Sequence, residues 1–295
     1  MSKRRSRRRR PGDWLVLVLL FIIAFAAGWY LLRPRHAAPP SLAVASPLPI
    51  LTATPIATAA PTESPTPGAS PTPNAAGPKL ALIIDDCGQW VDIERGYIAL
   101  PIPLTLSVLP YVHAARQIAQ EAHDAGKGVM LHLPMEPQSE IYPGPGEVKT
   151  AMTDAQVIAQ VQADLAQVPL AQGVNNHEGS KASADARVMH DVMEVLARHG
   201  HLFFIDSRTS AASVGEQQAA AAGIPTASRD VFLDNRENVA YTEAQLREAA
   251  GIARRTGSAI AIGHPRATTL AAVRAMIPQL QAAGIRFVLV QSLTH

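Results

Sequence analysis

The stretch LALIIDDCG, Leu80 to Gly88, decides how the rest of the chain is read. Its apolar run has the character of a buried strand, and two adjacent carboxylates, Asp85 and Asp86, close it. Neighbouring side chains on a strand point to opposite faces, so the two acids either splay apart or turn together into the loop beyond. Burying both without a cation is costly, and two acids held close raise one pKa. One carboxylate binding a metal while the other acts as a base accounts for the pair. The competing reading is N-capping of the next helix, for which Asp is a favoured residue.

Downstream, apolar runs of strand character recur as LTLSVLP (104–110), GVMLHLP (128–134), GVNNH (173–177), HLFFID (201–206), DVFLD (230–234), SAIAIG (258–263) and IRFVLVQ (285–291). Between most of them lie stretches with apolar residues three and four apart, several ending in Gly: 111–126, 153–168, 186–200, 242–257 and 268–284. Such alternation predicts parallel strands with crossover helices. Seven or eight units in so short a span predict an α/β fold, a distorted parallel β/α barrel, in preference to an open doubly wound sheet. DDCGQW after the first strand is no dinucleotide fingerprint, and no repeat of fixed period is evident.

The chain before this region is of another kind. Seven of the first ten residues are Lys or Arg, and Trp14 to Leu32 run without a charge. At about 1.5 Å per residue this run spans roughly 28 Å, the hydrocarbon thickness of a bilayer, with Trp14, Trp29 and Tyr30 near its two ends. The run is longer than the apolar region of a cleaved signal peptide and is followed by Arg33 and Arg35. Four segments are therefore expected: a basic cytoplasmic tail (1–13), a transmembrane anchor (14–32), a disordered linker rich in Pro, Ala, Ser and Thr (33–78), and a folded domain (79–295). The Arg cluster places the N-terminus in the cytoplasm and the folded domain outside, in a single-pass membrane protein. The formal net charge of +2 arises from that basic start; without it the remainder is mildly acidic, which excludes a nucleic-acid partner. The single cysteine, Cys87, permits no internal disulfide and reads as a small packed side chain.

Polar residues gather at the ends of the expected strands. Asp85 and Asp86 end the first, His132 the third, Asp206 the fifth and Asp234 the sixth, while His177 follows the fourth and His264 the seventh. In a parallel barrel these ends share one rim, where active sites of such folds are built. His132 reads as a ligand or as a buried structural histidine. In GVNNHEGS, Asn175, Asn176 and His177 offer groups that ligate a cation or hold substrate hydroxyls. Asp206 and Asp234 are expected to orient a histidine or anchor a basic residue. His264 is placed to give a proton to a leaving group, the competing reading being a turn or cap. His113, His123, His190, His199 and His201 read as surface or packing residues, and Met189 and Met193 as core.

The ordered set IIDDCG, LHLPMEP, GVNNHEGS, FFIDSRTS, FLDN and AIGHP resembles the divergent polysaccharide deacetylases, a branch of the carbohydrate esterases, over nearly all of Lys79 to His295. The resemblance implies hydrolysis of an N- or O-linked acetyl group on a cell-envelope polysaccharide, with a divalent metal, commonly zinc, as cofactor. It further implies Asp85 as base, Asp86 and His132 as metal ligands, and His264 as acid. The main group has a second histidine four residues after the first; here that position is Glu136. Glu136 or His177 completes the ligand set, and His177 is preferred because Pro134 and Pro137 leave the inward turn of Glu136 unassured. The alternative function is a catalytically inactive glycan-binding or scaffold domain on the same fold.

Overall fold

The computed structural model describes residues 77–295. The expected basic tail, membrane anchor and nearly all of the linker lie outside the described residues, among which no helix is long and apolar enough to cross a membrane. The strands are β1 (Lys79–Cys87), β2 (Thr105–Val108), β3 (Gly128–Met135), β4 (Gly173–Glu178), β5 (Phe203–Asp206), β6 (Thr226–Ser228), β7 (Val231–Phe232), β8 (Ser258–Gly263) and β9 (Arg286–Val288). The helices are α1 (Val91–Ile98), α2 (Ala115–Asp124), α3 (Asp154–Leu165), α4 (Ala186–His199), α5 (Gly215–Ala221), α6 (Val239–Thr256) and α7 (Ala267–Ala282).

All strand pairings are parallel, in the order β6-β5-β4-β3-β2-β1-β8-β7. The first six strands step round in one direction, and β8 and β7 return to the free edge of β1. The ends of this path, β6 and β7, are separated only by Arg229 and Asp230. The result is an open, distorted β/α barrel. The run at 230–234 yields only two residues of strand, Val231 and Phe232, which pair with β8, while Thr226 to Ser228 just before it pair with β5. β9 pairs with the first half of β1, at Lys79 to Ala81, on the edge that β2 takes further along.

Alternation along β1 shows why the sheet curls. Leu80, Leu82 and Ile84 join the large core between strands and helices, whereas Ala81 and Ile83 face a second, smaller core with Met130, Phe203, Ile205, Ala227, Ile260, Ile262 and Val290. An open doubly wound sheet covers both faces with helices, whereas here side chains of different strands meet one another on the second face. Burying each Leu or Ile contributes roughly 1.5–3 kcal/mol, so both layers hold the curvature. Val290 belongs to a 3₁₀ turn (Val290–Leu293), after which His295 exchanges two backbone hydrogen bonds with Thr226 across the lower end of the barrel.

Side-chain chemistry starts and stops the helices. Thr153 and Gln156 form a capping box at α3, and Asp185 accepts from the amides of Arg187 and Val188 at α4. Gly200 and Gly257 end α4 and α6 in left-handed geometry that other residues adopt at a cost. The competing reading of Asp85 and Asp86 as helix caps is not met: the N-cap of α1 is Trp90, without a side-chain bond.

Candidate metal centre

The two acids of β1 turn together, and the backbone shows how. Ile84 pairs with Leu106 and Cys87 with Val108, so β1 carries one residue more than β2 in this interval, a β-bulge. Asp86 takes up the extra residue with φ +57°, a left-handed conformation that Asp tolerates better than most side chains. Asp85 continues the inward series of Ala81 and Ile83. Asp86, which regular alternation would send outward, is re-aimed into the same mouth.

Glu94 of α1 fixes the loop that follows. One of its carboxylate oxygens accepts from the amides of Gly88, Gln89 and Trp90 at 3.0, 3.0 and 2.8 Å, and the residue is fully buried. Gly88 must be glycine: its φ is +104°, and a Cβ there would lie 2.6 Å from Val112.

Three donor atoms converge on the mouth. Asp86 Oδ1 lies 3.2 Å from His132 Nε2 and 3.0 Å from His177 Nδ1, and the two nitrogens are 3.1 Å apart. This oxygen is buried and has distance but no aligned hydrogen bond to either imidazole. An acidic oxygen without an aligned donor, facing two imidazole nitrogens, is the set that a divalent ion of the zinc type takes. Burial works to raise the pKa of Asp86, but His132 and His177 outweigh it and hold the carboxyl far below its ordinary range. Asp85 Oδ2 stands 3.6 Å from His132 Nε2. Its burial raises the pKa, against the nearby charges of His132 and His264. Burial disfavours the charged form of His132, yet Asp85 and Asp86 together raise its pKa above the ordinary histidine value.

Asn175 is the hub behind these groups. Its Nδ2 donates to Asp85 Oδ1 at 2.9 Å and to Ser207 Oγ at 3.2 Å, while its Oδ1 accepts from Ser107 Oγ at 2.5 Å. With both amide hydrogens engaged, the 2.8 Å contact to His132 Nδ1 requires that nitrogen to be the donor. In the neutral ring the lone pair of His132 therefore lies on Nε2, toward Asp86.

His264 closes the far side. Its Nδ1 donates to Asp234 Oδ1 at 2.9 Å, and Asp234 Oδ2 accepts from the His264 amide and from Thr269 Oγ1, both at 2.8 Å. Nε2 remains directed to the cleft, 3.8 Å from Asp86 Oδ2. Burial lowers the pKa of His264, but the Asp234 bond and the charges of Asp86 and Asp85 raise it overall. Phe232 packs on this ring at 5.2 Å between centroids and carries the Arg229 guanidinium 5.0 Å over its own centroid.

Three sequence expectations are corrected. Glu136 does not reach the cluster: Oε2 accepts from the amide and hydroxyl of Thr150 at 2.7 and 2.6 Å, and Oε1 pairs with Lys181 Nζ at 2.7 Å. Against the effect of burial, those donors lower its pKa to about 2. Asn176 is turned to the loop after β5, bonding Ser207 N, Glu178 O and Thr209 Oγ1. Asp206 binds Arg208 N and Ser213 Oγ in that same loop and contacts no histidine. Sequence reading overlooked Glu94, Ser107, Ser207 and Thr269. Ser107, which follows Thr105 on the polar face of the alternating run LTLSVLP, was the one visible signal.

Beside the cluster opens a cavity of about 250 Å³ lined by Asp86 and His177, by Leu109, Pro110 and Val112, and by Tyr142 to Pro145. In a second convergence, His190, Asp191 and Glu194 on α4, Arg187 and Arg198 already pair with the two carboxylates.

Fold and site together define a parallel β/α barrel with an acid and imidazole cluster suited to a metal at its C-terminal rim. The chain belongs to the divergent polysaccharide deacetylase family, whose model matches residues 82–294. It is 38% identical over 205 residues to an uncharacterized protein of Haemophilus influenzae, covering 70% of this chain and 73% of the relative. It is 36% identical over 202 residues to the uncharacterized protein YibQ of Escherichia coli, covering 68% of this chain and 63% of that protein. Among solved structures, an uncharacterized protein from Agrobacterium tumefaciens superposes with a TM-score of 0.71 at 26% identity, over 76% of this chain and 92% of the other. A mutant with restored enzymatic activity of a CE4 family pseudoenzyme from Bacillus anthracis shares the fold, with a TM-score of 0.50 at 15% identity over 75% of this chain and 68% of the other.

Proposed function

We propose that the chain is a metal-dependent deacetylase that removes N- or O-linked acetyl groups from a cell-envelope polysaccharide, tethered to the membrane by its first 78 residues. The observation that carries this reading is the convergence of one carboxylate oxygen and two imidazole nitrogens, within 4.8 Å of one another, beside a second acid and a third imidazole. Asp86, His132 and His177 hold the ion, probed first with zinc. Such an ion polarises a carbonyl and lowers the pKa of a bound water.

The remaining chemistry belongs to the chain's own side chains. Asp85 takes the proton of the attacking water, with Oδ1 fixed by Asn175 and Oδ2 on the side of the cluster. His264 gives a proton through Nε2 to the departing sugar nitrogen or oxygen, its ring held and its imidazolium favoured by Asp234. Leu109, Pro110 and Val112 give the cleft an apolar side next to Asp86 and His177. For localisation, the apolar run 14–32 between basic residues supports a single-pass anchor with the barrel outside the cytoplasm.

The test measures acetate released from acetylated envelope glycans by the zinc-loaded full chain, with a chelated control and the variants Asp85→Asn and Asp86→Ala. The reading expects release that requires metal and is lost in both variants, with zinc retained only in Asp85→Asn. Glycan binding with no acetate released under any metal load overturns it in favour of the inactive scaffold.

A further inference from the structure

Five large apolar side chains stand exposed among the described residues: Trp90, Tyr111, Ile141, Tyr142 and Val239, at 47, 42, 60, 68 and 36%. Four of the five lie on the loops that follow β1, β2 and β3, which are consecutive neighbours in the sheet. They therefore share one sector of the rim. Tyr142 is the most exposed of the five, yet it also lines the cleft together with Asp86 and His177.

The loop that carries Tyr142 is anchored at its base. Glu136 N donates to Val148 O and Val148 N to Pro134 O, each at 2.9 Å, and the Glu136 carboxylate clamps Thr150 and Lys181 beneath them. Gly146 presses its backbone against the Tyr111 ring and Asp164, where a Cβ would meet atoms at 3.0 and 2.6 Å. A ring held out from such a base keeps its exposure through construction.

The chemistry of the sector favours a sugar chain. Its rings are separate and interleaved with exposed polar residues, Gln138, Ser139 and Glu140 among them, which differs from the contiguous apolar patch of a protein or membrane contact. The negative face of an aromatic ring meets the C–H face of a pyranose, while its polar neighbours serve the hydroxyls. A cavity of about 250 Å³ is small beside ordinary ligand pockets, so further units of a polymer must lie outside it.

We infer that the glycan runs across the loops after β1, β2 and β3, and that Tyr142 is a specificity-determining residue, stacking on the sugar unit next to the one whose acetyl group enters the cleft. This rests on the deacetylase reading of the site, and it is tested through binding so that the two can fail separately. The full chain in the Asp85→Asn background, which keeps the acetyl groups intact, is titrated calorimetrically with N-acetylglucosamine and its oligomers up to the hexamer, and with an O-acetylated mannuronan series. In at least one series affinity rises with chain length. Tyr142→Ala lowers affinity for the longest chain about tenfold and abolishes the length dependence, while Tyr142→Phe retains both. Because Tyr142 is exposed, the zinc content and melting temperature of these variants stay unchanged, which separates a lost contact from a lost fold.

Chain-length dependence lost in Tyr142→Ala supports the inference even where no acetate is ever released. Equal affinity for monomer and hexamer, no binding to either series, indifference to Tyr142→Ala, or a Tyr142-dependent affinity for lipid vesicles in place of glycan each overturns it.

Discussion

Asp85 and Asp86 are consecutive on a strand, yet both carboxylates face one imidazole nitrogen, His132 Nε2, at 3.6 and 3.2 Å. The bulge and the left-handed Asp86 make this possible. The cluster therefore depends on a backbone irregularity as much as on its side chains, and the groups that hold that geometry become measurable.

Asn175 holds Asp85 and His132 at once. Replacing it by Leu keeps its volume but removes both bonds and leaves Ser107 without its acceptor. Zinc affinity should fall about 10–100-fold, as for other groups that orient a metal-binding imidazole. Competition with a chromophoric chelator measures this directly, and unchanged affinity would contradict the assignment of His132 as a ligand.

Glu136 offers the opposite expectation. Its oxygens belong to Thr150 and Lys181, so Glu136→Gln should leave zinc stoichiometry and affinity as they are. The half-exposed Lys181 pair is worth about 1 kcal/mol or less, so the melting temperature should move by only a few degrees. Loss of the metal in this variant would restore Glu136 as a ligand.

Glu94 accepts three consecutive amides with a single oxygen. Glu94→Ala leaves those donors without their acceptor, that of Gly88 in the interior, and should destabilise the domain by on the order of 1–3 kcal/mol. Glu94→Gln keeps an acceptor and should recover much of the loss. Denaturant unfolding of the pair decides whether this oxygen matters through hydrogen bonding; equal losses would assign its role to packing alone.

Asp164 is buried beneath the Tyr142 loop with one oxygen unpartnered, and burial lifts its pKa to about 7 in spite of bonds from Gln160 and Tyr111. Its folded pKa exceeds the unfolded value of 3.8, so the folded state holds the extra proton between them. Its contribution is complete below about pH 4 and declines as pH rises through 7. Asp164→Asn lacks this dependence, and its stability relative to the parent chain should improve from pH 4 to pH 8 by on the order of 4 kcal/mol. Parallel unfolding curves at the two pH values test the sign: a constant difference would show that Asp164 is already ionised in the folded chain.

Much of this arrangement was legible in the residues themselves. The apolar runs ending in Asp85, His177 and His264 marked strands of one hand and placed their polar ends on one rim, because parallel connectivity leaves little choice. The ionic pattern was harder to read where one extra residue changes direction. Nothing in IIDDCG announces a bulge, since its cause lies in the pairing of β1 with β2. The segment from Thr226 to Phe232 misled for a similar reason: Thr226 to Ser228 pair with β5, an unexpected strand, and of the strand expected at 230–234 only Val231 and Phe232 pair with β8. Helix α1 escaped notice because it is short and polar enough to show little periodicity, and Glu94 with it. Asp206 looked like a partner for a histidine or a basic side chain because a carboxylate at a strand end looks the same from sequence whether it faces a site or ties its own loop.

The central place of β1 bears on how the protein is made. It takes β2 and β9 along one edge, and β8 along the other. A ribosome delivers β2 soon after β1, but β8 only when most of the domain has been synthesised. Until then a nascent chain carries a greasy strand with one side unzipped, a target for chaperones and a seed for aggregation, so truncation before β8 should yield insoluble fragments in place of a smaller working barrel.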